Sequence, residues 1–257
     1  MRLVSISLFV AAGLAVAGQS GMAGAAPPAG ADWVLTFNED FDGPMIDPSI
    51  WSVSSGQHLR QRDSDPANVV LSDHVLHLIS RHHLRGGQEW TSAGLWTRNF
   101  RQAFGYFEAR VRYARATGMT NVFRLVTDQP ISAGGFDIAV DEGRYPCVIS
   151  MQLRRPGFRG LFINQMTAAT DLSSDYHLYG LAWLPNRRGS TTLTWYVDGA
   201  PVQTAVCAQC TRPARLWLGT QVITGSGPFA PPPSGASMDV DYVRVYQLHN
   251  LSERRRQ

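Results

Sequence analysis

Three acidic side chains lie close together in the segment GGFDIAVDEGRYP, which runs from residue 134 to residue 146. They are Asp137, Asp141 and Glu142. Residues i, i+2 and i+4 of a β-strand share a face, so a regular strand here places Asp137 and Asp141 on one wall of a cleft. Neighbouring carboxylates cannot all ionise freely, and acid–base chemistry uses the resulting difference in protonation. The spacing therefore predicts a candidate acid pair carried by a strand.

The elements around this segment alternate with the period of β-strands. In YFEARVRY, Phe107, Ala109 and Val111 fall on one face while Glu108 falls on the other. The stretch LTWYVDGAPVQT predicts a hairpin with a turn at Asp198-Gly199. Many short strands separated by Gly, Pro, Asn and Asp turns predict an all-β protein, an antiparallel β-jelly-roll sandwich.

Composition excludes several classes of function. The chain has 257 residues, is 44% hydrophobic and carries a formal net charge of +3. It can bury a sizeable core, and its scattered basic residues do not indicate a nucleic-acid partner. All 23 basic residues are Arg, which excludes Lys-dependent chemistry such as a Schiff base.

The N-terminus is typical of an exported protein. Residues 1–25 combine Arg2, a short apolar run and Ala23-Gly24-Ala25, which predicts a signal peptide. The run is shorter than the ~20 residues of a membrane span, so we expect no span after cleavage. A linker at 26–30, a single domain at 31–248 and a basic tail at 249–257 follow. We expect a monomer in the periplasm or secreted from the cell.

The cysteines fit an oxidising compartment. Cys207 and Cys210 in VCAQC could close a small disulfide between two strands. The flanking sequence lacks the βα context that a redox function needs, and the sequence leaves the redox state of the pair open. Cys147 has no obvious mate and is expected to be a buried free thiol.

The ordered set of motifs resembles glycoside hydrolase family 16, the β-jelly-roll family of laminarinases and lichenases. FNEDFDGPMIDPSIW resembles its opening strand and loop, and SAGLWT with FGYFEARVRY resembles its central strands. DYHLYGLAWLP, TWYVDGAPVQT and MDVDYVRVYQ resemble its later strands. The resemblance covers nearly all of the chain after residue 30, and it implies an endo-acting hydrolase of β-glycans.

The resemblance also implies a catalytic strand of the form Glu-x-Asp-x-Glu, with one added residue before the last Glu where the strand is bulged. The first Glu is the nucleophile, the last is the acid/base, and the Asp tunes their protonation. Aligning Gly134 and the apolar-Asp-Ile core puts Gly135 at the nucleophile, Asp137 at the Asp and Val140 at the acid/base. In this register the family's double displacement is impossible.

Two other registers keep a pair of acids. Asp137 with Glu142 matches the bulged spacing and is the better candidate for activity. Asp137 with Asp141 matches the unbulged spacing, and its shorter side chains favour an inverting mechanism. Two hypotheses follow from these registers: a glycoside hydrolase with a rearranged acid pair, or an inactive relative that binds glycan. The absence of any Glu between Glu108 and Glu142 favours the second.

Further residues are candidates for substrate binding. Family members often carry Trp residues before the catalytic strand, but MTNVFRLV has Thr120 and Arg124 there. An Arg facing the cleft would bind the carboxylate of an acidic sugar, so the expected polysaccharide is a β-glucan or an acidic or substituted exopolysaccharide. The remaining binding candidates are Trp90, Trp96, Arg60 and Arg62. The other tryptophans are predicted to be core: Trp33, Trp51, Trp183, Trp195 and Trp217.

No catalytic metal or cofactor is expected. His74 and His77 are three apart in a strand and therefore face opposite ways. The family resemblance implies a weak candidate for structural calcium, near Asp241 and the opening loop with Asp40 and Gly43. These groups offer few of the six or more oxygens that calcium takes.

Overall fold

The computed structural model describes residues 27–56, 64–85, 88–127, 135–154, 162–168, 170–186, 189–207, 210–222 and 234–249. Arg60 and Arg62, the predicted signal peptide and most of the predicted basic tail lie outside these residues. The described strands, in chain order from β1 to β16, are Trp33–Glu39, Trp51–Val53, Val69–Ser72, Val75–Arg85, Gln88–Thr91, Gly94–Thr97, Gly105–Arg112, Met119–Thr127, Gly135–Glu142, Val148–Arg154, Phe162–Thr167, His177–Pro185, Thr191–Val197, Ala200–Cys207, Ala214–Val222 and Ala236–Leu248. A 3-10 helix, Pro66–Asn68, precedes β3.

The strands form two sheets with antiparallel pairing between neighbours. The first sheet has the order β14-β13-β12-β7-β16-β4-β3, with β1 paired to β16 and β5 paired to β4. The second sheet has the order β11-β10-β9-β8-β15-β6-β2. Each sheet contributes one face to a shared apolar core. The predicted jelly-roll sandwich is confirmed.

Alternation along the strands explains which side chains fill the core. Phe107, Ala109 and Val111 of β7 are fully buried in it, as predicted. Glu108 points to the opposite face of the first sheet, yet it is only 1% exposed. Period-2 patterning therefore located its face correctly but could not show that this face is covered.

The β13–β14 hairpin follows from its turn residues. Asp198 has φ of 50° and Gly199 has φ of 76°, and a two-residue hairpin turn of this type needs positive φ at both positions. The Asp198 carboxylate also accepts a hydrogen bond from the backbone N–H of Leu178 at 2.9 Å. The predicted hairpin is confirmed, and β14 forms an edge of the first sheet.

Three of the five tryptophans predicted as core lie there. Trp51, Trp183 and Trp195 are at most 2% exposed within the apolar cluster. Trp33 is half-buried at the start of β1, where its indole N–H donates to the carbonyl of Pro28 at 2.9 Å. Trp217 is buried but lies on the other face of the second sheet, so the prediction was wrong for Trp33 and Trp217.

The cysteine prediction is confirmed in its main point. Cys207 and Cys210 form a disulfide at the end of β14. Cys147 is free, and it is half-buried rather than buried.

In the described part of the chain, no helix is long and apolar enough to cross a membrane.

Candidate functional site

A β-bulge in β9 decides which acids share a face. Across from β9, Phe123 pairs with Ala139 and Arg124 with Asp137, so Ile138 is an extra residue in the ladder. Both Ile138 and Ala139 point into the core. Alternation resumes one residue later, because a bulge shifts the residues after it to the other face. Asp137, Val140 and Glu142 therefore lie on the outer face of the second sheet.

The outer face of the second sheet carries a row of side chains that crosses six strands, which we call the Asp137 row. Its members sit side by side in the register of the sheet: Gln152, Asp137, Arg124, Trp217, Trp96 and Ser52, on β10, β9, β8, β15, β6 and β2. Five strand spacings make this row about 24 Å long. It combines two aromatic rings with polar groups, the mixture that typically lines a ligand site.

Asp137 is held in place from two sides. Arg124 Nε lies 3.1 Å from Asp137 Oδ1, and the backbone carbonyl of Asp137 accepts a hydrogen bond from the Trp195 indole at 3.0 Å. The Asp137 side chain is 0% exposed and that of Arg124 is 15% exposed. The carboxylate is therefore the neutralising partner of a buried cation rather than a group presented to a ligand.

Arg124 is also packed against an aromatic ring. Its guanidinium carbon lies 4.9 Å from the centre of the Trp217 ring, a cation–π contact. Because Asp137 balances its charge and Trp217 covers it, Arg124 offers little free positive charge to an acidic sugar. Arg124, which the sequence offered as a substrate-binding candidate, lies on the outer face of the second sheet.

Trp217 is a residue of this face that the sequence prediction missed. Its ring lies over Gly219 and Gly94, since a Cβ built on Gly219 would come within 2.4 Å of the ring and one on Gly94 within 3.3 Å. The signal was present in ARLWLGTQV, where Leu216 and Leu218 alternate inward and place Trp217 outward. The two glycines of neighbouring strands make room for the ring.

Glu142 is the exposed acid of the strand. It pairs across the ladder with Thr120, and its side chain is 46% exposed. Arg144 NH2 lies 3.3 Å from Glu142 Oε2. Asp137 and Glu142 share a face, as their predicted pairing requires. Their partners Arg124 and Thr120 are four residues apart on β8, which separates their Cα atoms by about 13 Å.

Asp141 points the other way, into the protein interior, which corrects the predicted pairing of Asp137 with Asp141. It is 2% exposed, and its Oδ2 accepts a hydrogen bond from the Asn121 amide at 2.9 Å. Burial raises the pKa of Asp141 to about 7, against the Asn121 hydrogen bond, with help from the charges of Glu142 and Asp171. Without the bulge, Asp137 and Asp141 would have faced the same side.

The positions that the resemblance aligns with the family's two Glu residues carry no acidic side chain. Residue 135 is Gly and residue 140 is Val, both on the outer-face side of the bulged strand. A Cβ on Gly135, which has φ of +157°, would lie 2.3 Å from the carbonyl oxygen of Leu125. The local backbone of β9 therefore does not accommodate a side chain at this position without moving.

The two remaining binding candidates among the described residues differ in position. Trp90 is half-buried on β5, which pairs with β4 of the first sheet, and its ring centre is 5.0 Å from that of His82. Trp96 lies in the row and is half-buried. Among the described residues, no group of three or more His, Cys, Asp and Glu side chains is placed to hold a metal ion.

The two carboxylates suggested for calcium are each paired with an arginine. Asp241 Oδ2 accepts a hydrogen bond from Arg110 at 2.7 Å, while Asp40 Oδ1 accepts one from Arg244 at 3.0 Å. Each carboxylate thus has an arginine as its own cation, so these residues do not fit the structural calcium that the family resemblance weakly suggested.

Comparison with known proteins identifies relatives of this fold. The family model for glycosyl hydrolases family 16 matches residues 52–214 of the chain. No curated protein sequence matches the chain. Among solved structures, an endo-β-1,3-glucanase from Pyrococcus furiosus is 21% identical with a TM-score of 0.76, over 86% of this chain and 97% of that one. The laminarinase from Rhodothermus marinus is 22% identical with a TM-score of 0.75, over 85% and 98%. A structure of endo-acting O-glycanases expressed by members of the human gut microbiota is 18% identical with a TM-score of 0.73, over 88% of this chain and 94% of that one.

Proposed function

Because the chain belongs to glycosyl hydrolases family 16, we propose that it binds a β-glycan on the outer face of the second sheet and does not cleave it. The observation that carries this proposal is the state of Asp137. Hydrolysis by paired carboxylates needs both groups at the scissile bond, whereas the Asp137 side chain is 0% exposed and bound to Arg124. Gly135 and Val140 supply no replacement.

The same face retains what binding requires. Trp96 and Trp217 are adjacent across β6 and β15, and aromatic rings bury large areas against an apolar sugar face. Trp96 is the more accessible of the two, since Trp217 is 9% exposed. We propose a neutral β-glycan as the ligand, because the Arg124 charge is balanced within the row. The glucanases of similar fold support this choice.

A hydrolase with Asp137 and Glu142 is the second candidate function. The observation in its favour is that the bulge in β9 puts both acids on one face. An inverting enzyme holds its carboxyl groups about 6.5–9.5 Å apart with a water between them. The complete burial of Asp137 opposes this candidate, because a base must reach the water that it activates.

We also propose that the protein acts outside the cytoplasm, as a monomer. The signal-like pattern of residues 1–25 and the Cys207–Cys210 disulfide support this location, since disulfides persist in oxidising compartments.

Binding is tested by titrating the protein with a neutral β-1,3-glucan, a mixed-linkage β-glucan and a uronate-containing β-glycan. Wild type is expected to bind a neutral glycan, and Trp96→Ala to weaken binding about 30-fold, the equivalent of about 2 kcal/mol for a Trp anchor. Trp33→Ala is the matched control, because Trp33 lies on β1 of the other sheet, and it should bind like wild type. Tighter binding of the uronate glycan that Arg124→Met abolishes would overturn the neutral ligand.

Cleavage is tested separately by release of reducing ends from the same glycans. No release is expected from wild type. Release that disappears in both Asp137→Asn and Glu142→Gln would overturn the proposal and establish the second candidate. Loss in one variant alone would contradict a paired mechanism.

A further inference from the structure

The junction of the first and last strands contains a positive charge that belongs to the protein itself. Arg244 lies on β16 directly opposite Asn38 of β1. Its Nε donates to Asn38 Oδ1 at 3.0 Å, and its Nη2 donates to Asp40 Oδ1 at 3.0 Å. Asn38 also donates through its amide to the second oxygen of Asp40. Two side chains of the opening segment thus direct their oxygens at one guanidinium.

The surroundings of Arg244 hold it in this position. Its guanidinium carbon lies 4.0 Å from the centre of the Tyr242 ring, and the side chain is 24% exposed. Beneath it lies the buried carboxylate of Glu108, which accepts hydrogen bonds from Tyr106 at 2.8 Å and Tyr242 at 3.2 Å. Burial raises the pKa of Glu108, while these bonds and the Arg244 charge act to lower it. Arg244 therefore donates hydrogen bonds to Asn38 and Asp40, and its charge also stabilises the carboxylate of Glu108.

Asp241, the other carboxylate suggested as a calcium ligand, is also paired with an arginine. Arg110 NH1 lies 2.7 Å from Asp241 Oδ2, and the Arg110 guanidinium also lies over the Tyr176 ring at 4.7 Å. A divalent ion bound by Asp40 Oδ1 and Asp241 Oδ2 would have to displace both arginines from these oxygens.

We propose that Arg244, assisted by Arg110, is the built-in cation of this junction, and that the fold needs no calcium where its first and last strands meet. Arg is suited to this role because its planar donors bind two oxygens at once and it stays charged. The ligand of the Asn38 and Asp40 oxygens is therefore an internal guanidinium. The inference does not depend on glycan binding.

The proposal is tested by thermal unfolding of the whole protein in millimolar calcium chloride and in EDTA, with terbium luminescence as a second measurement. Wild type should give the same Tm in both and no terbium signal. Arg244→Ser should lower Tm by about 5 °C, since it loses two charged hydrogen bonds. It should also regain stability in calcium, because the Asn38 and Asp40 oxygens become available with water.

Arg115→Ser is the control, because Arg115 pairs with Asp171 at an exposed site 3.0 Å apart and its loss should create no calcium response. Arg244→Lys keeps a charge and should remain indifferent to calcium, which keeps the test available should the Ser variant fail to fold. A calcium-dependent rise in the Tm of wild type or of Arg244→Lys would overturn the proposal. So would a folded Arg244→Ser variant that ignores calcium and terbium.

Discussion

Asp137 and Asp141 lie four residues apart on one strand, yet their environments are opposite. Asp137 lies on the outer face with a cation, 3.1 Å from Arg124 Nε. Asp141 lies on the core face with a neutral amide, 2.9 Å from the Asn121 nitrogen. The charge of Asp137 is compensated, while that of Asp141 is not, and burial raises the Asp141 pKa to about 7. Burial alone therefore does not decide how an acid affects stability; its partner does.

The largest effect is expected from removing the compensated acid. Asp137→Ala leaves the largely buried Arg124 guanidinium without its carboxylate, and breaking a buried ion pair costs about 3–5 kcal/mol. Urea unfolding of wild type and variant measures the loss. The double variant Arg124→Met/Asp137→Leu is the control, and it should lose clearly less than Asp137→Ala because it removes both charges. A single-variant loss below about 1 kcal/mol would contradict a tight ion pair.

Asp141→Asn is expected to raise the unfolding stability at pH 8, whereas Asp137→Ala lowers the unfolding stability. The folded-state pKa of Asp141 is raised from 3.8 to about 7, so the folded protein binds more protons than the unfolded chain between these values. Wild-type stability should therefore fall as pH rises from about 4 to about 7. At about 1.4 kcal/mol per pKa unit, the upper bound is about 4 kcal/mol. The Asn variant should lack this fall and be the more stable protein at pH 8.

Unfolding curves between pH 4 and pH 8 measure the difference between the two proteins. Glu142→Gln is the matched control: it removes a half-exposed neighbouring acid whose charge contributes less than burial to the raised pKa of Asp141, so this variant should keep most of the fall. Parallel curves for wild type and Asp141→Asn over this range would show that Asp141 does not titrate there.

The smallest effect is expected at Glu142. Its contact with Arg144 joins side chains that are 46% and 54% exposed, and exposed ion pairs contribute about 0–1 kcal/mol. Glu142→Gln should therefore change unfolding stability by less than about 1 kcal/mol at pH 7. A larger loss, measured in the same urea experiment, would mean that this acid is structurally engaged and not merely presented to solvent.

Local patterning was enough for the faces of regular strands. Phe107, Ala109 and Val111 lie in the core as their alternation predicted, and Asp198-Gly199 forms the predicted hairpin turn. The same rule would have found Trp217 had it been applied to ARLWLGTQV. Trp217 was predicted as core from its residue type, whereas the alternation of Leu216 and Leu218 places it on the outer face.

The strand of the candidate site was harder to predict, because one extra residue reverses every later side chain. The sequence offered several registers for GFDIAVDE, and nothing local chose among them. Ile138 and Ala139 both enter the core, which selects the bulged register. Contacts with residues distant in the chain complete it, as when the Trp195 indole binds the Asp137 carbonyl at 3.0 Å.

The amino-acid sequence by itself determined the all-β class and the absence of Glu at positions 135 and 140, and it offered Cys207 and Cys210 as a disulfide pair. These follow from residue type and near-neighbour spacing. Only the tertiary structure decided that Asp137 is buried against Arg124, that Asp141 faces the core, and that Arg244 binds side chains of the opening segment. Each of these depends on groups brought together from distant segments, where burial and charge compensation have no signature in local sequence.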